Sequence, residues 1–161
     1  MLEAIKKDIN KEYIAAVKEY EKCISANALA PLECYINLAF IYWEFACEHI
    51  EFNIPNNIPD EWSLIGFEKC FDIIEKGISL YPDSVEAHFW QRYFRYRLFQ
   101  DDFTEQECKG IVESYSDKNI VPCFFLYLFD KRKYENERQE LLDRACENPT
   151  AKNLYIQTFL M

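Results

Sequence analysis

The stretch that decides the fold is CYINLAFIY, residues 34–42. It has apolar side chains at three- and four-residue spacing and holds neither glycine nor proline, a pattern that predicts a helix. Similar spacing continues over most of the chain, which has only three glycines in 161 residues. The sequence therefore predicts an all-α protein.

The helices on either side of this stretch follow from periodicity and from proline. Upstream, one apolar stripe predicts a helix over residues 3–27 that ends before Pro31. The central stretch itself predicts a helix over 32–51. Residues 53–60 contain two prolines and three asparagines, so they predict a loop, and a third helical unit follows over 61–80.

Capping residues divide the second half of the chain. Ser84 predicts the start of a helix over 85–99, and Thr104 with Glu107 has the spacing of a capping box. A short aromatic helix is predicted after Pro122, another over 134–147, and a last one capped by Thr150. With Asp60 capping the third unit, the sequence predicts about eight helices joined by short turns.

The central stretch also resembles the first helix of a tetratricopeptide repeat. That helix has an aromatic residue, leucine, a small residue and tyrosine at offsets of 0, 3, 4 and 7. The matching positions are Tyr35, Leu38, Ala39 and Tyr42. The resemblance covers roughly residues 13–97 and is degenerate: the next repeat has His88, Gln91 and Arg92 at its pattern positions, and residues 52–60 lengthen the repeat.

The length and composition predict a single domain over residues 1–161, and the resemblance implies that this helical-repeat domain is wound as a short right-handed α-α superhelix. Such a domain has a concave groove that receives a segment of a partner protein. The groove positions that match are Glu33, Ile36, Phe40, Trp43, Glu44, Glu86, Phe89, Tyr93, Tyr96 and Arg97. Aromatic groups with charge at the rim are typical of binding hot spots. The alternative is that the C-terminal helices fill the groove and make these aromatics core.

The acidic residues are concentrated in one part of the sequence. The chain has 28 acids and 18 bases, and no lysine or arginine occurs between Lys22 and Lys69. On a helix over 32–51, Glu44, Glu48 and Glu51 share one face, where like charges cost stability. This pattern favours a docking surface for a basic partner protein. The alternatives are that the acids pair internally with His88, Arg92 and Arg95, or are simply solvated.

Composition argues against several other classes of protein. The basic residues are too few and too scattered to neutralise nucleic-acid phosphates, and no apolar run is long enough to cross a membrane. The N-terminus lacks the pattern of a signal peptide, which predicts a cytoplasmic protein. The seven cysteines have no metal-ligand spacing, so we expect reduced thiols, mostly buried, with no metal and no cofactor.

No catalytic motif is present, so the sequence predicts a non-enzymatic protein-binding module. Its most specific form is an acidic inhibitor or immunity-type protein that covers the active site of a basic toxin or nuclease. A second hypothesis is an adaptor that binds a peptide segment in the groove. A third is a small-molecule binder or enzyme that uses His88, Arg92 and Arg95, which requires a pocket beside them.

Overall fold

The computed structural model describes all residues from 1 to 161 and contains nine α-helices, one π-helical turn and no strand. The all-α prediction is confirmed. None of the helices combines the length and apolar character needed to cross a bilayer. The chain, for which the sequence predicts a single domain over 1–161, divides into two compact units, Met1–Pro82 and Asp83–Met161.

The first unit is built around one helix. Its elements are α1 (Leu2–Ile9), α2 (Tyr13–Ala26), α3 (Leu32–Cys47), a π-turn (His49–Asn53) and α4 (Glu61–Leu80). Every residue of α3 from Cys34 to Phe45 is buried. A helix that is apolar on all sides is a core helix rather than a surface helix. The stretch that decides the fold is therefore the centre of this unit.

Helices α3 and α4 lie antiparallel and approach closely at two glycines. A Cβ atom on Gly66 would clash with the backbone carbonyl oxygen of Tyr42, and one on Gly77 would lie 2.9 Å from the Cβ of Tyr35. Both glycines are buried, and α4 runs unbroken from Glu61 to Leu80. Small residues at these positions allow the two backbones to pack side by side.

The predicted first helix over 3–27 is wrong in one respect, since it is two helices. Lys11 has a φ of 61°, in the left-handed region, and this residue turns the chain between α1 and α2. The turn brings Asp8 under α2, where Tyr20 Oη donates to its carboxylate at 3.1 Å. Asn37 Nδ2 of α3 donates to Tyr20 Oη at 3.1 Å, so this buried chain of bonds joins the three helices.

The predicted helix over 32–51 is also too long. The α-helix ends at Cys47, because Glu48 leaves helical geometry with φ −108° and ψ 57°. The π-turn follows, and Asn53 Nδ2 donates to the carbonyl of Phe45 at 2.8 Å. Asn53 thus binds the end of α3 and redirects the chain into the loop that leads to α4.

The second unit packs around aromatic rings. Its helices are α5 (Val85–Phe99), α6 (Glu105–Ser114), α7 (Cys123–Tyr127), α8 (Glu135–Glu147) and α9 (Ala151–Leu160). Phe124 of α7 lies at the centre, with ring centroids 5.6 Å from Phe89 and 5.7 Å from Trp90 of α5 and 5.7 Å from Phe159 of α9. The short aromatic helix predicted after Pro122 thus supplies the middle of the core.

The predicted caps of the second unit are confirmed. Ser84 Oγ accepts from the Ala87 amide, Thr104 and Glu107 form the full capping box, and Thr150 Oγ1 accepts from the Asn153 amide. Asp60 occupies the N-cap position of α4 in the first unit but makes no side-chain cap bond, because its backbone is already helical. The predicted cap by Asp60 is therefore wrong.

Candidate protein-binding surface

Four large apolar side chains and four acids within residues 50–68 of the first unit are exposed. The exposed fractions are 72% for Ile50, 60% for Ile54, 64% for Leu64 and 47% for Phe67. Large apolar side chains clustered on a surface and rimmed by polar groups are typical of protein-binding sites. We call this the acidic–apolar surface and define it as Ile50, Glu51, Ile54, Asp60, Glu61, Leu64, Phe67 and Glu68.

Two segments form the acidic–apolar surface and are held together at one point. Ile50 and Ile54 lie on and just after the π-turn, while Leu64 and Phe67 are three residues apart on α4 and so share one face. Asn53 Nδ2 donates to Ser63 Oγ at 3.3 Å. This bond ties the two segments together one residue before Ile54 and one residue before Leu64.

The acids of this surface carry uncompensated charge. Glu51, Asp60, Glu61 and Glu68 are all exposed, and none of them takes part in a salt bridge. No lysine or arginine occurs within the stretch to screen them. The surface therefore presents a negative field around an apolar centre.

Lys69, the first base after the acidic stretch, is bound elsewhere. Its ammonium lies 2.7 Å from Glu21 Oε1, and Tyr42 Oη donates to the same oxygen at 2.6 Å. Burial alone would raise the pKa of Glu21, but the bonds from Lys69 and Tyr42 outweigh it and lower that pKa. The positive charge of Lys69 thus neutralises Glu21 of α2, although Lys69 adjoins Glu68 in sequence.

Most of the predicted groove residues of the first unit are buried. Ile36, Phe40, Trp43 and Glu44 are each at most 3% exposed, and only Glu33 of this set lies at the surface. The reason is the apolar character of α3 on all sides, which leaves no solvent-facing side from Cys34 to Phe45. The structure therefore corrects the expected groove: these four side chains belong to the core.

The predicted acidic face of Glu44, Glu48 and Glu51 is not continuous. Glu44 is buried near the hydroxyl of Tyr13, whose pKa is raised by burial and by the negative charges of Asp8 and Glu44. Glu48 is half-buried at the helix end, where it accepts from Cys47 Sγ at 3.6 Å. Of the three, only Glu51 is fully exposed, because α3 ends before it.

The predicted groove residues of the second unit also divide into core and surface. Phe89 and Tyr93 are buried, each with its ring centroid 5.6 Å from that of Phe124 in α7. Tyr96 is half-buried and Arg97 is exposed. On this helix the C-terminal helices do pack over the aromatics, as the alternative to an open groove expected.

Two of the three residues of the predicted small-molecule site, His88 and Arg92, share a cleft. A cleft of about 350 Å³ lies between α5 and α6, lined by His88, Gln91, Arg92, Glu107, Ile111 and Tyr115. The rings of His88 and Tyr115 stack in it with centroids 3.8 Å apart. Arg95 lies outside the cleft, 3.3 Å from Asp101.

Arg92 is only partly paired in the cleft, since its Nη1 atom is buried without a hydrogen-bond partner. The Nη2 atom of Arg92 donates to the backbone carbonyl of Asp102 and also lies 3.3 Å from Glu107 Oε1. The pKa of Glu107 is lowered, first by its bond from the Thr104 amide and also by Arg92. Arg92 and Arg95 therefore pair with two acids of their own unit, Glu107 and Asp101.

Sequence reasoning missed the four apolar side chains of the acidic–apolar surface. The signal was present in α4, where the buried positions are Gly66, Cys70, Ile74 and Gly77, spaced by three and four. Leu64 and Phe67 lie outside this row of buried positions. A helical projection of α4 would therefore have predicted that both side chains lie at the surface. The buried face of α4 is thus the side that carries its two glycines.

Comparison with family models, with curated proteins and with solved structures found no match for this chain. No group of three or more histidine, cysteine, aspartate or glutamate side chains is arranged to hold a metal ion. The function proposed for this chain therefore rests on its own surfaces.

Proposed function

We propose that this chain is a non-enzymatic protein-binding module that docks a basic partner on the acidic–apolar surface. The single observation that carries the proposal is that residues 50–68 expose four large apolar side chains together with four acids that have no salt bridge. Apolar groups supply binding energy at the centre of an interface, and unpaired charges select and steer a partner of opposite sign.

The chemistry of this surface defines its partner. The apolar centre formed by Ile50, Ile54, Leu64 and Phe67 calls for apolar or aromatic side chains on the facing protein. The surrounding carboxylates call for lysine or arginine at the edge of that patch. We therefore propose a folded protein with an apolar patch inside a basic surface.

The most specific form of the proposal is an inhibitor. A basic enzyme such as a nuclease toxin uses its positive surface to bind its substrate, so a small acidic protein seated there would block the active site. The excess of ten acids and the base-free stretch between Lys22 and Lys69 support this form. The peptide-binding adaptor has no such support, because most of its expected groove side chains are buried.

We also propose that α3 and α4 are a degenerate tetratricopeptide-like hairpin. Their antiparallel packing, with close approach at Gly66 and Gly77, supports this relationship. The four pattern residues Tyr35, Leu38, Ala39 and Tyr42 are all buried in α3, as packing positions of such a hairpin should be.

The test begins with purification of the tagged protein from its native cells, at low and at high salt, and identification of a basic partner. Binding of that partner to Glu51→Lys/Glu61→Lys/Glu68→Lys is then compared with binding to Asp83→Lys/Glu113→Lys/Glu147→Lys. Both triple variants change the net charge equally, but the second alters exposed acids of the other unit.

We expect the first variant to lose affinity by roughly tenfold or more and to show a flatter salt dependence of binding. The second variant should keep most of its affinity and most of its salt dependence. Equal losses in the two variants would show that only overall charge matters and would contradict the docking surface. Leu64→Ser against Leu128→Ser, two exposed leucines, applies the same comparison to the apolar centre.

The inhibitor form has its own readout. If the partner is an enzyme, its activity should fall to near zero at a one-to-one ratio of the two proteins. The Glu51, Glu61 and Glu68 variant should restore that activity. A complex that forms with full partner activity would retain the docking surface but reject inhibition.

The cleft between α5 and α6 supports a second candidate function, the binding of a small molecule. Its lining combines the stacked His88 and Tyr115 rings with the Gln91 amide and the Arg92 guanidinium, whose Nη1 has no hydrogen-bond partner. Isothermal titration with small aromatic carboxylates and nucleotides, repeated on Tyr115→Ala, tests it. Binding that persists in the variant, or no binding at all, rejects this candidate.

A further inference from the structure

Two cysteines of the first unit lie in contact. The Sγ atoms of Cys23, near the end of α2, and Cys34, in the first turn of α3, are 3.1 Å apart. The sulfur atoms of a disulfide are about 2.05 Å apart, so these atoms need to approach by only about 1 Å to form a bond. The two cysteines are eleven positions apart in sequence, and the helical hairpin brings them together.

The packing of the two helices fixes the pair. Tyr20 lies three residues before Cys23, and Asn37 lies three residues after Cys34, so each is one turn away on its own helix. Asn37 Nδ2 donates to Tyr20 Oη at 3.1 Å, and this bond is buried. The antiparallel register that pairs residue 20 with residue 37 therefore also pairs residue 23 with residue 34.

The two thiols differ in exposure. Cys34 is fully buried, whereas Cys23 is half-buried and has a side that solvent reaches. Burial first, and the neighbouring Cys23 thiol next, raise the pKa of Cys34 to about 12. Cys34 therefore stays protonated near neutral pH, and a dissolved oxidant meets Cys23 first.

We propose that Cys23 and Cys34 form a peroxide-sensitive pair that closes to a disulfide between α2 and α3. The Cys23 thiolate attacks hydrogen peroxide, which forms an S–O bond, breaks the O–O bond and releases hydroxide. Cys34 then attacks the sulfenic sulfur of Cys23. The S–S bond forms, the S–O bond breaks, and the hydroxyl group leaves as water with the Cys34 proton.

Electrons and atoms balance over these two steps. The two sulfurs together give up two electrons, and one molecule of peroxide is reduced. The hydroxide released in the first step takes up the proton that Cys23 lost on forming its thiolate, so two molecules of water result. A dithiol reductant reverses the reaction by thiol–disulfide exchange, which makes the modification reversible. The proposal rests on the cysteine geometry alone and is independent of the acidic–apolar surface.

The chain supplies matched controls for the test. Cys146 is an exposed cysteine of the other unit, and Cys70 is a buried cysteine of the same unit. If exposure alone governs oxidation, Cys146 should react at least as readily as Cys23. If contact between sulfurs governs it, only Cys23 and Cys34 should become linked to each other.

The experiment treats the reduced full-length protein with a series of hydrogen peroxide concentrations, then unfolds it and alkylates the remaining thiols. Mass spectrometry of the intact chain and of its proteolytic peptides follows. We expect the loss of two alkylatable thiols, a linked peptide pair that holds Cys23 and Cys34, and full recovery after dithiothreitol. The same treatment in concentrated urea should scatter the links over other cysteines.

A further readout is thermal stability, because a crosslink constrains the unfolded chain. The oxidised protein should melt roughly 5 °C or more above the reduced protein. Cys23→Ser and Cys146→Ser are compared with the unmodified chain: the first should abolish both the link and the shift, and the second should change neither.

Three results would overturn the proposal. The first is a Cys23 that gains oxygen atoms while Cys34 remains alkylatable. The second is a dominant link between other cysteines in the folded protein. The third is a folded chain in which Cys146 is oxidised at every peroxide concentration while Cys23 and Cys34 both remain free. Since these readouts use the unsubstituted protein, they do not depend on how well a variant folds.

Discussion

At the scale of the residue, Glu86 shows how one carboxylate holds the second unit together. Its side chain is 12% exposed and lies 2.6 Å from Lys152 Nζ of α9, and Asn119 Nδ2 donates to it at 2.9 Å. Burial alone would raise the pKa of Glu86, but Lys152 and the hydrogen bonds outweigh burial and lower that pKa. The carboxylate is therefore ionised and joins α5 to α9.

We expect Glu86→Gln to lower the free energy of unfolding by about 3 kcal/mol near neutral pH, because it leaves the Lys152 ammonium buried without a counter-charge. Urea denaturation followed by circular dichroism measures this loss. The control is Glu113→Gln, an exposed acid of the same unit that has no salt bridge, which should change the value by less than about 0.5 kcal/mol.

The difference in unfolding free energy between wild type and Glu86→Gln depends on pH, and the direction of the Glu86 pKa shift fixes the sign of that dependence. The pKa of Glu86 is lower in the folded protein than in the unfolded chain, where it is about 4.3. Its stabilising contribution is thus complete above that value and is lost as the pH falls through the folded pKa. The gap between wild type and Glu86→Gln should narrow in acid; a gap of constant size would contradict this account.

Trp43 tests the placement of a predicted groove residue in the core. Its side chain is fully buried, so we expect Trp43→Ala to cost about 3–5 kcal/mol of unfolding free energy. Thermal denaturation compares it with Leu29→Ala, since Leu29 is 74% exposed. Unchanged stability with a loss of partner binding alone would instead place Trp43 in an open groove.

At the scale of the element, α4 depends on glycine for its contact with α3. A Cβ atom at Gly66 meets the backbone of Tyr42, which cannot move without distorting α3, while a Cβ atom at Gly110 of α6 meets nothing within 4 Å. The same substitution should therefore have opposite effects in the two helices.

We expect Gly66→Ala to destabilise the protein by about 1–3 kcal/mol through overpacking. Gly110→Ala should stabilise it by roughly 0.5–1 kcal/mol, because alanine loses less conformational freedom on entering a helix. Chemical denaturation of both variants checks the pair. Stabilisation by both substitutions would mean that α3 and α4 do not approach closely at Gly66.

The helix ends show which boundaries can be predicted from the sequence. The caps at Ser84, Thr104 and Thr150 were predictable because each uses a local bond within three residues. The turn at Lys11 and the π-turn after Cys47 were not, since neither has glycine or proline to mark it. Buried long-range bonds, such as Tyr20 to Asp8 and Asn53 to Phe45, hold the chain there instead.

At the scale of the whole molecule, the excess of acids acts on stability as well as on binding. The formal charge is −10, and like charges repel one another in the folded chain. We expect added sodium chloride to raise the melting temperature by a few degrees at neutral pH, because salt screens this repulsion. Differential scanning calorimetry over a salt series measures the rise.

The base-free stretch should account for much of this effect. Glu51→Gln/Glu61→Gln/Glu68→Gln removes three exposed acids that have no salt bridge, so it should melt at or above wild type and respond less to salt. If salt lowers the melting temperature of the wild type, then its attractive ion pairs outweigh the repulsion, and this account of the charge is wrong.

The helical class, most helix positions and the local caps follow from the sequence, because periodicity and short-range bonds act over a few residues. Composition alone gives the sign of the charge. Which side chains reach solvent depends instead on the tertiary fold. It buried Trp43 and Glu44, exposed Leu64 and Phe67, and brought Cys23 against Cys34. Burial depends on every helix that packs around a residue, and a periodic pattern on one helix does not contain that information.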